Sequence, residues 1–320
     1  MVNTLHLSSN PGISLIQSLD GVHRFMGWEG PVASDSGGFQ LFSWISDDPS
    51  SGRISSDGFQ YRLDKGGKKN ILTPEKCIQK QFQLGADLMF CLDHCTHPES
   101  DPAIQRNSVE NTVNWARRCK TEFTQRAQRQ ECTPLLYGII QGGEDLGLRN
   151  ECAEKLLDLD LDGFGFGGWP INSEGGLVEA VAHVAELVPK ELPKHALGIG
   201  KPENVLRAFS LGYHTFDCTI PTRDARRERL YVLNTPWNSI GLKADSDFYR
   251  YLYIGDEKHA RDGEPIDPKC NCLCCRKYSR AYLHHLFRLN DSIGLRLATL
   301  HNLTFYGDMM ERLRVIGFDE

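Results

Sequence analysis

Leu135-Leu136-Tyr137-Gly138-Ile139-Ile140-Gln141 is the stretch whose reading sets the fold. It is an apolar run of strand length that stops on an amide. Helical apolar spacing over 148–157 follows, and then a second short run, Gly163-Phe164-Gly165-Phe166-Gly167-Gly168. Strand, helix, strand in that order is the repeating unit of a parallel sheet.

The alternation continues in both directions. Candidate strands lie at 2–7, 31–34, 87–92, 135–141, 163–168, 196–200 and 215–220. Between them, Ile13, Ile16, Leu19 and Val22 line one helical face, and Cys77, Phe82 and Leu84 line another. Thr73-Pro74-Glu75 opens that second helix, threonine as the cap and proline at the first helical position. Val109, Val113, Trp115 and Ala116 mark a third, with further helices over 177–188 and 202–211. Asp35, Asp93, Gln141, Gly168 and Asp217 stand where apolar runs stop. Polar groups at the ends of many strands are how a (β/α) barrel builds a site, whereas a doubly wound sheet gathers them at one switch point. The expectation is an α/β fold, a TIM-type (β/α)8 barrel. Seven strands are counted where a closed barrel needs eight, and because the chain opens on a strand the missing one is expected to be the first.

Composition agrees with an enzyme-sized core. Of 320 residues, 40% are hydrophobic and 24% charged, which excludes disorder as the main state. A net charge of −6 and a pI near 6.0 exclude a generally basic coat while leaving room for a local basic face. No apolar run approaches the ~20 residues of a membrane span. The start, Met1-Val2-Asn3-Thr4-Leu5-His6, has no basic leader, so a cytoplasmic protein without a membrane partner is expected.

After Thr222 the character changes. Four arginines fall within 223–229, a turn-rich stretch covers 263–268, and helices are expected over 276–289 and 292–315. The expected domains are a barrel core at 1–240 and a small metal-binding subdomain at 241–320.

Eleven cysteines in a long chain of this kind point to thiols and a metal site more than to disulfides. Four crowd into Cys270-Asn271-Cys272-Leu273-Cys274-Cys275. Three thiolates on a tight turn plus one imidazole make a closed tetrahedral set suited to a structural zinc. Cys270, Cys272 and Cys275 are the chosen thiolates, and His301, His284, His285 and Cys274 compete for the fourth place on spacing alone. The bland alternative, reduced core thiols, is disfavoured because four cysteines in six residues pack poorly.

Taken singly, Asp35, Asp93, Gln141 and Asp217 are as readily helix caps or loop contacts as functional groups. Together they place one amide and three carboxylates at one barrel mouth, which suits a planar polar ligand and acid–base or nucleophilic chemistry. Asp35-Ser36-Gly37-Gly38-Phe39 is a turn through which backbone can approach a ligand, and Phe39 could stack on a base, although an aromatic is more often core. The glycines of 163–168 are a weak match to a dinucleotide fingerprint and fit better the close approach of a strand end to a flat ligand. Pro221-Thr222-Arg223-Asp224-Ala225-Arg226 follows Asp217 and, unless it is an ordinary solvated turn, suits phosphate or base-edge contacts. Lys65, Lys68, Lys69, Arg276, Lys277 and Arg280 are candidates to extend that basic surface.

These motifs in this order resemble the tRNA-guanine transglycosylases, called queuine tRNA-ribosyltransferases in bacteria. The likeness rests on Asp35-Ser36-Gly37-Gly38-Phe39-Gln40, Gly138-Ile139-Ile140-Gln141-Gly142-Gly143, Phe216-Asp217-Cys218, Cys270-x-Cys272-x2-Cys275, Arg280 to His285 and His301-Asn302-Leu303, and runs from Asn3 to about Arg312. It implies a (β/α)8 barrel with a zinc subdomain and exchange of guanine at the tRNA wobble position for a free 7-deazaguanine base. By motif, Asp217 matches the nucleophile and Asp35 the general acid/base, with Asn3 positioning it. Ser36, Phe39, Asp93, Gln141 and Gly168 match the base-holding positions, Arg223 and Arg226 the residues that read the anticodon loop, and Cys270, Cys272, Cys275 and His301 the ligands of one structural Zn2+. A homodimer is also implied.

The loop after Gly168 departs from the family. It reads Trp169-Pro170-Ile171-Asn172, where most bacterial relatives have Leu-Ala-Val-Gly followed by a glutamate that meets the aminomethyl group of the incoming base; Glu174 lies one place beyond. Ile171 stands where acceptors of queuine tend to have glycine, so the small base preQ1 is expected to be favoured. Two other readings compete: a non-catalytic RNA-binding partner subunit, against which both carboxylates argue, and a DNA-directed 7-deazaguanine transglycosylase.

Overall fold

The computed structural model describes residues 1–62, 67–128, 132–242 and 246–319, so Lys65 lies outside the described residues. The chain divides into two compact units, Met1–Leu197 with Gly212–Thr215, and Gly198–Leu211 with Phe216–Glu320.

Twelve strands are present among the described residues: β1 (Val2–Asn3), β2 (Ala33–Asp35), β3 (Gly52–Ser55), β4 (Gly58–Tyr61), β5 (Asn70–Leu72), β6 (Leu88–Phe90), β7 (Leu135–Ile140), β8 (Gly163–Phe166), β9 (Lys194–Leu197), β10 (Thr215–Asp217), β11 (Arg229–Leu233) and β12 (Tyr249–Tyr253). Seven form one sheet in the order β1-β2-β6-β7-β8-β9-β10, and each pair from β1–β2 to β8–β9 is parallel. The order follows the chain without reversal. That is barrel winding, since a doubly wound sheet reverses at its switch point. All seven expected strands are found, shorter than their apolar runs.

The first expected strand is corrected most. Only Val2–Asn3 is extended, and Thr4–Ser9 is helical because the Asn3 side chain accepts from the His6 N–H and starts a helix there. The first helix is corrected too. Ile13–Ser18 and Val22–Met26 are separate, broken where Asp20 and Gly21 take φ of 62° and 94°, and Leu19 is 44% exposed.

Pro74–Leu84 forms as read, with Thr73 Oγ1 accepting from the Lys76 N–H and Gly85 in the left-handed region at its end. Its buried face holds a polar residue, Gln81. That amide accepts from Ser34 Oγ (2.7 Å) and the Phe90 N–H (3.0 Å) and donates to the Phe90 carbonyl (2.9 Å), so it clamps β2 to β6. The antiparallel sheet β3-β4-β5 carries no clear alternation and was not expected. Trp115 secures it by donating to the Ser56 carbonyl at 2.7 Å and packing on Phe59.

In the second unit β11 and β12 pair antiparallel over a core of Leu230, Val232, Leu252, Ile254, Leu283 and Leu286. The helix expected over 276–289 is two, Leu273–Lys277 and Arg280–Arg288, because Ser279 caps the second by accepting from the Tyr282 N–H. The last helix, Ser292–Asp319, runs further than the apolar pattern indicated. No helix among the described residues is long and apolar enough to cross a membrane.

Candidate active site and metal centre

Asp35 is the last residue of β2 and is half-buried. Its register partner across β1–β2 is Asn3, whose Nδ2 donates to Asp35 Oδ2 at 2.7 Å while its Oδ1 caps the following helix at 3.0 Å. Thr4 Oγ1 donates to the Asp35 carbonyl. The end of one strand thus holds the carboxylate at the end of its neighbour.

The turn that follows needs both glycines. Gly37 has φ +82°, and a Cβ there would lie 2.9 Å from the Leu5 side chain. A Cβ on Gly38 would lie 3.1 Å from the Asp93 carbonyl. Ser36 is buried, its hydroxyl accepting from the Gly38 N–H at 3.2 Å. The turn therefore packs against the loop that carries Asp93.

Asp93 and Gln141 are in direct contact, Gln141 Nε2 donating to Asp93 Oδ2 at 2.7 Å. Burial pushes the Asp93 carboxyl up to about 7; the nearby Asp35 charge adds to the rise and the Gln141 hydrogen bond opposes it. A carboxyl raised to about 7 beside an amide is equipped for proton handling at neutral pH.

The glycines of β8 serve this arrangement. Cβ atoms on Gly163, Gly165 and Gly167 would come within 2.6–2.8 Å of the Tyr137, Ile139 and Gln141 side chains. They make room for the large side chains of β7, so their first role is packing rather than ligand approach. Gly168, at φ +96°, lies beside Gln141 Oε1 and Arg149.

Phe39 is not core: it is 43% exposed and meets Trp169, 41% exposed, edge-on at 6.0 Å. Trp169 Nε1 donates to the Thr96 carbonyl at 3.1 Å. Trp169, Gly168, Gln141, Thr96, Glu144 and Arg149 help line a cavity of only about 10 Å³. The hairpin beyond is organised by Asn172, whose Oδ1 accepts from the Glu174 and Gly176 N–H groups, and Glu174 is exposed.

Arg149 and Glu144 escaped sequence reasoning. Arg149 is 1% exposed, donates to the Ile140 and Gly143 carbonyls, and stacks on Phe166 at 4.3 Å. Burial lowers its pKa to about 10, which leaves it cationic at neutral pH. Its signal was an arginine on the apolar face formed by Leu148, Cys152 and Leu156.

In the second unit Asp217 ends β10, and its Oδ1 accepts from the Gly198 N–H at 3.0 Å. Adjacent Cys218 is kept a thiol, its pKa pushed up to about 11 by burial and by the Asp217 charge. Ile220–Arg226 is a short helix with Arg223 and Arg226 on its exposed side and Asp224 on its buried side. Arg280 is not part of a free basic face. It donates to Asp262 at 2.9 Å and to the Ile266 carbonyl at 3.0 Å.

Cys270, Cys272, Cys275 and His301 converge, with ligand atoms all within 4.8 Å of one another, a set that could hold one metal ion. His301 presents Nδ1 to the thiols, 3.3 Å from Cys275 Sγ, while Nε2 donates to the Tyr231 carbonyl at 2.7 Å. A fixed tautomer of this kind is the usual outer support of a ligand histidine. Cys274, 1% exposed in the apolar core, is not a member of the cluster. His284 and His285 are not members of the cluster.

A parallel sheet wound in barrel order, with polar groups at its strand ends and a thiolate-rich metal cluster further along the chain, defines an α/β-barrel enzyme with an added metal unit. The family model for queuine tRNA-ribosyltransferase matches residues 1–316. The queuine tRNA-ribosyltransferase of Solidesulfovibrio magneticus is 37% identical over 315 residues, 98% of this chain and 78% of that protein. That of Thermoanaerobacter pseudethanolicus is 37% identical over 313 residues, 98% and 77%. That of Staphylococcus aureus is 36% identical over 313 residues, 98% and 76%. The chain belongs to the queuine tRNA-ribosyltransferase family, a family of pentosyltransferases.

Proposed function

We propose that this protein exchanges guanine at the wobble position of tRNA for a 7-deazaguanine, within queuosine biosynthesis, through a covalent aspartyl-ribosyl intermediate. The observation that carries the reading is the Asp93–Gln141 pair beside an Asp35 held by Asn3. It offers the amide and carboxyl edges a purine needs and a second carboxyl for its proton. Breaking the N-glycosidic bond develops positive charge at C1′, and Asp217 traps it; a second displacement by the incoming base retains the anomeric configuration. Asp35 protonates departing guanine and then takes a proton from the new base. Ser36, Phe39 and Gly168 complete the base site, and the target nucleotide leaves its stack to reach it. Arg223 and Arg226 hold the anticodon loop. Cys270, Cys272, Cys275 and His301 hold one structural zinc, since soft thiolates plus imidazole in a closed set favour that ion. Residues 1–240 act as the barrel core and 241–320 as the zinc subdomain, and the family likeness supports a cytoplasmic homodimer. Incubation with labelled guanine and separate tRNA and DNA pools tests the reading. Label should enter tRNA alone, and entry into DNA instead would replace the substrate assignment.

The raised Asp93 carboxyl gives a pH dependence with a definite sign. Guanine offers N–H donors at N1 and N2, which an ionised carboxylate accepts and a protonated carboxyl accepts poorly. With a pKa of about 7 in the free protein, Asp93 is protonated below that pH. Guanine affinity should therefore rise up to about tenfold per pH unit below 7 and level off above it. Calorimetric titration from pH 5.5 to 8.5 measures this, and Asp93→Asn should flatten the profile. A flat wild-type profile would remove Asp93 from the base site.

The incoming base should be small. Gly168 and Trp169 line a small cavity with Gln141 and Arg149, so little unfilled space lies beside the base-holding residues. Ile171 sits in the same loop, bridged to Leu177. A clash with the cyclopentenediol of queuine should cost on the order of 1–3 kcal/mol, or roughly 10–150-fold in selectivity for preQ1. Competition of preQ1, preQ0 and queuine for exchange into guanine-labelled tRNA reads this directly, and preference for queuine would displace the Trp169–Asn172 loop from the role given to it.

A further inference from the structure

Asn302 stands next to His301 on the helix Ser292–Asp319 and has no exposed surface. Its amide bonds only to backbone groups of other elements. Nδ2 donates to the Pro221 carbonyl and to the Arg229 carbonyl, each at 3.0 Å, and Oδ1 accepts from the Tyr231 N–H at 3.3 Å. The adjacent His301 turns Nδ1 toward the cysteines and Nε2 to the Tyr231 carbonyl. Two consecutive side chains therefore join the metal cluster, β11 and the helix Ile220–Arg226.

That helix has a second anchor on the same side. Asp224, fully buried, accepts from Tyr231 Oη at 2.6 Å and from Arg229 Nη2 at 2.6 Å. With Pro221 and Asp224 tied inward, Arg223 and Arg226 are left on the exposed face. A helix of seven residues gains little stability from its own hydrogen bonds, so such ties set where it points.

We infer that Asn302 is a positioning residue: it holds the helix carrying Arg223 and Arg226 in the register set by His301 and the metal cluster, and through it governs affinity for the RNA anticodon loop. The inference rests on the proposed function for its consequence, and on geometry alone for its site of action. An apolar side chain of the same size at position 302 strips three backbone groups of a buried partner while leaving all four cluster residues in place.

The test compares Asn302→Leu with the wild-type holoenzyme. Metal content should stay at one ion per chain. Backbone hydrogen exchange over 223–227 should accelerate about tenfold while 273–277 keeps its protection, a readout that needs no RNA. The Kd for tRNA should rise about tenfold, and by less than about twofold where Arg223→Ala and Arg226→Ala are already present, because a positioning residue acts only through the groups it positions. Additive losses in that cycle, unchanged exchange over 223–227, or loss of the metal would each overturn the inference. A wild type that binds no tRNA would overturn the proposed function instead, and the exchange measurement would still decide where Asn302 acts. If Asn302→Leu does not fold, Asn302→Ser, smaller and able to donate one hydrogen bond, should show the same changes with smaller amplitude.

Discussion

Asp217→Asn is expected to abolish base exchange and, with it, the covalent RNA–protein adduct on denaturing gels. Asparagine keeps the size of the side chain and an oxygen for the Gly198 N–H, so the local fold should persist. What it lacks is the anionic oxygen proposed to capture C1′, and loss of a covalent nucleophile costs on the order of 10⁴–10⁶ in turnover. Cys218, held as a thiol, offers no replacement. Asp35→Asn should behave differently. Its amide can still meet Asn3 but cannot carry a proton, so turnover should fall by roughly 10²–10⁴ while some adduct forms. An adduct at wild-type level in Asp217→Asn would move the nucleophile elsewhere, and equal adduct loss in both variants would end the division of roles.

Cys275→Ala should have the largest effect on stability. It removes one of four converging ligands, and since even outer-shell changes weaken metal binding by about 10–100-fold, affinity should fall by more than about 100-fold. Metal binding contributes directly to folding, so the transition of the second unit should move to lower temperature and become insensitive to chelators. Cys274→Ala should keep one metal per chain and cost only about 1 kcal/mol for the lost core contact. Elemental analysis and chelator-dependent melting separate the two. Metal kept in the first variant and lost in the second would exchange their roles.

Much of the fold was legible in apolar periodicity. The central strands β6, β7 and β8 were readable because they are largely buried and lie in short apolar runs, whereas β1 and β10 are only half-buried and shorter than the runs that announced them. Strand ends were legible only to within a few residues, since the polar residue after a run can itself be buried, as Gln141 is. The antiparallel sheet β3-β4-β5 was not, because its strands are short and lack alternation. Nor was the helix Thr4–Ser9, where an asparagine cap overrode an apolar pattern read as strand.

By itself, then, the sequence determined the parallel α/β class, the carboxylates and the amide at or just past several strands, and the thiolate run, since these follow from local patterns of burial and spacing. Tertiary structure brought His301 to Cys270, Cys272 and Cys275, because the meeting of a helix residue with a turn 26 positions earlier cannot be read from local pattern. It also decided the protonation of Asp93, which depends on desolvation and on the charge of Asp35 far away in the chain. And it gave Arg149, Gln81 and Asn302 their work: each sits on a buried helical face where a local pattern expects an apolar residue, and each is tolerated because backbone groups outside its own helix satisfy its polar atoms.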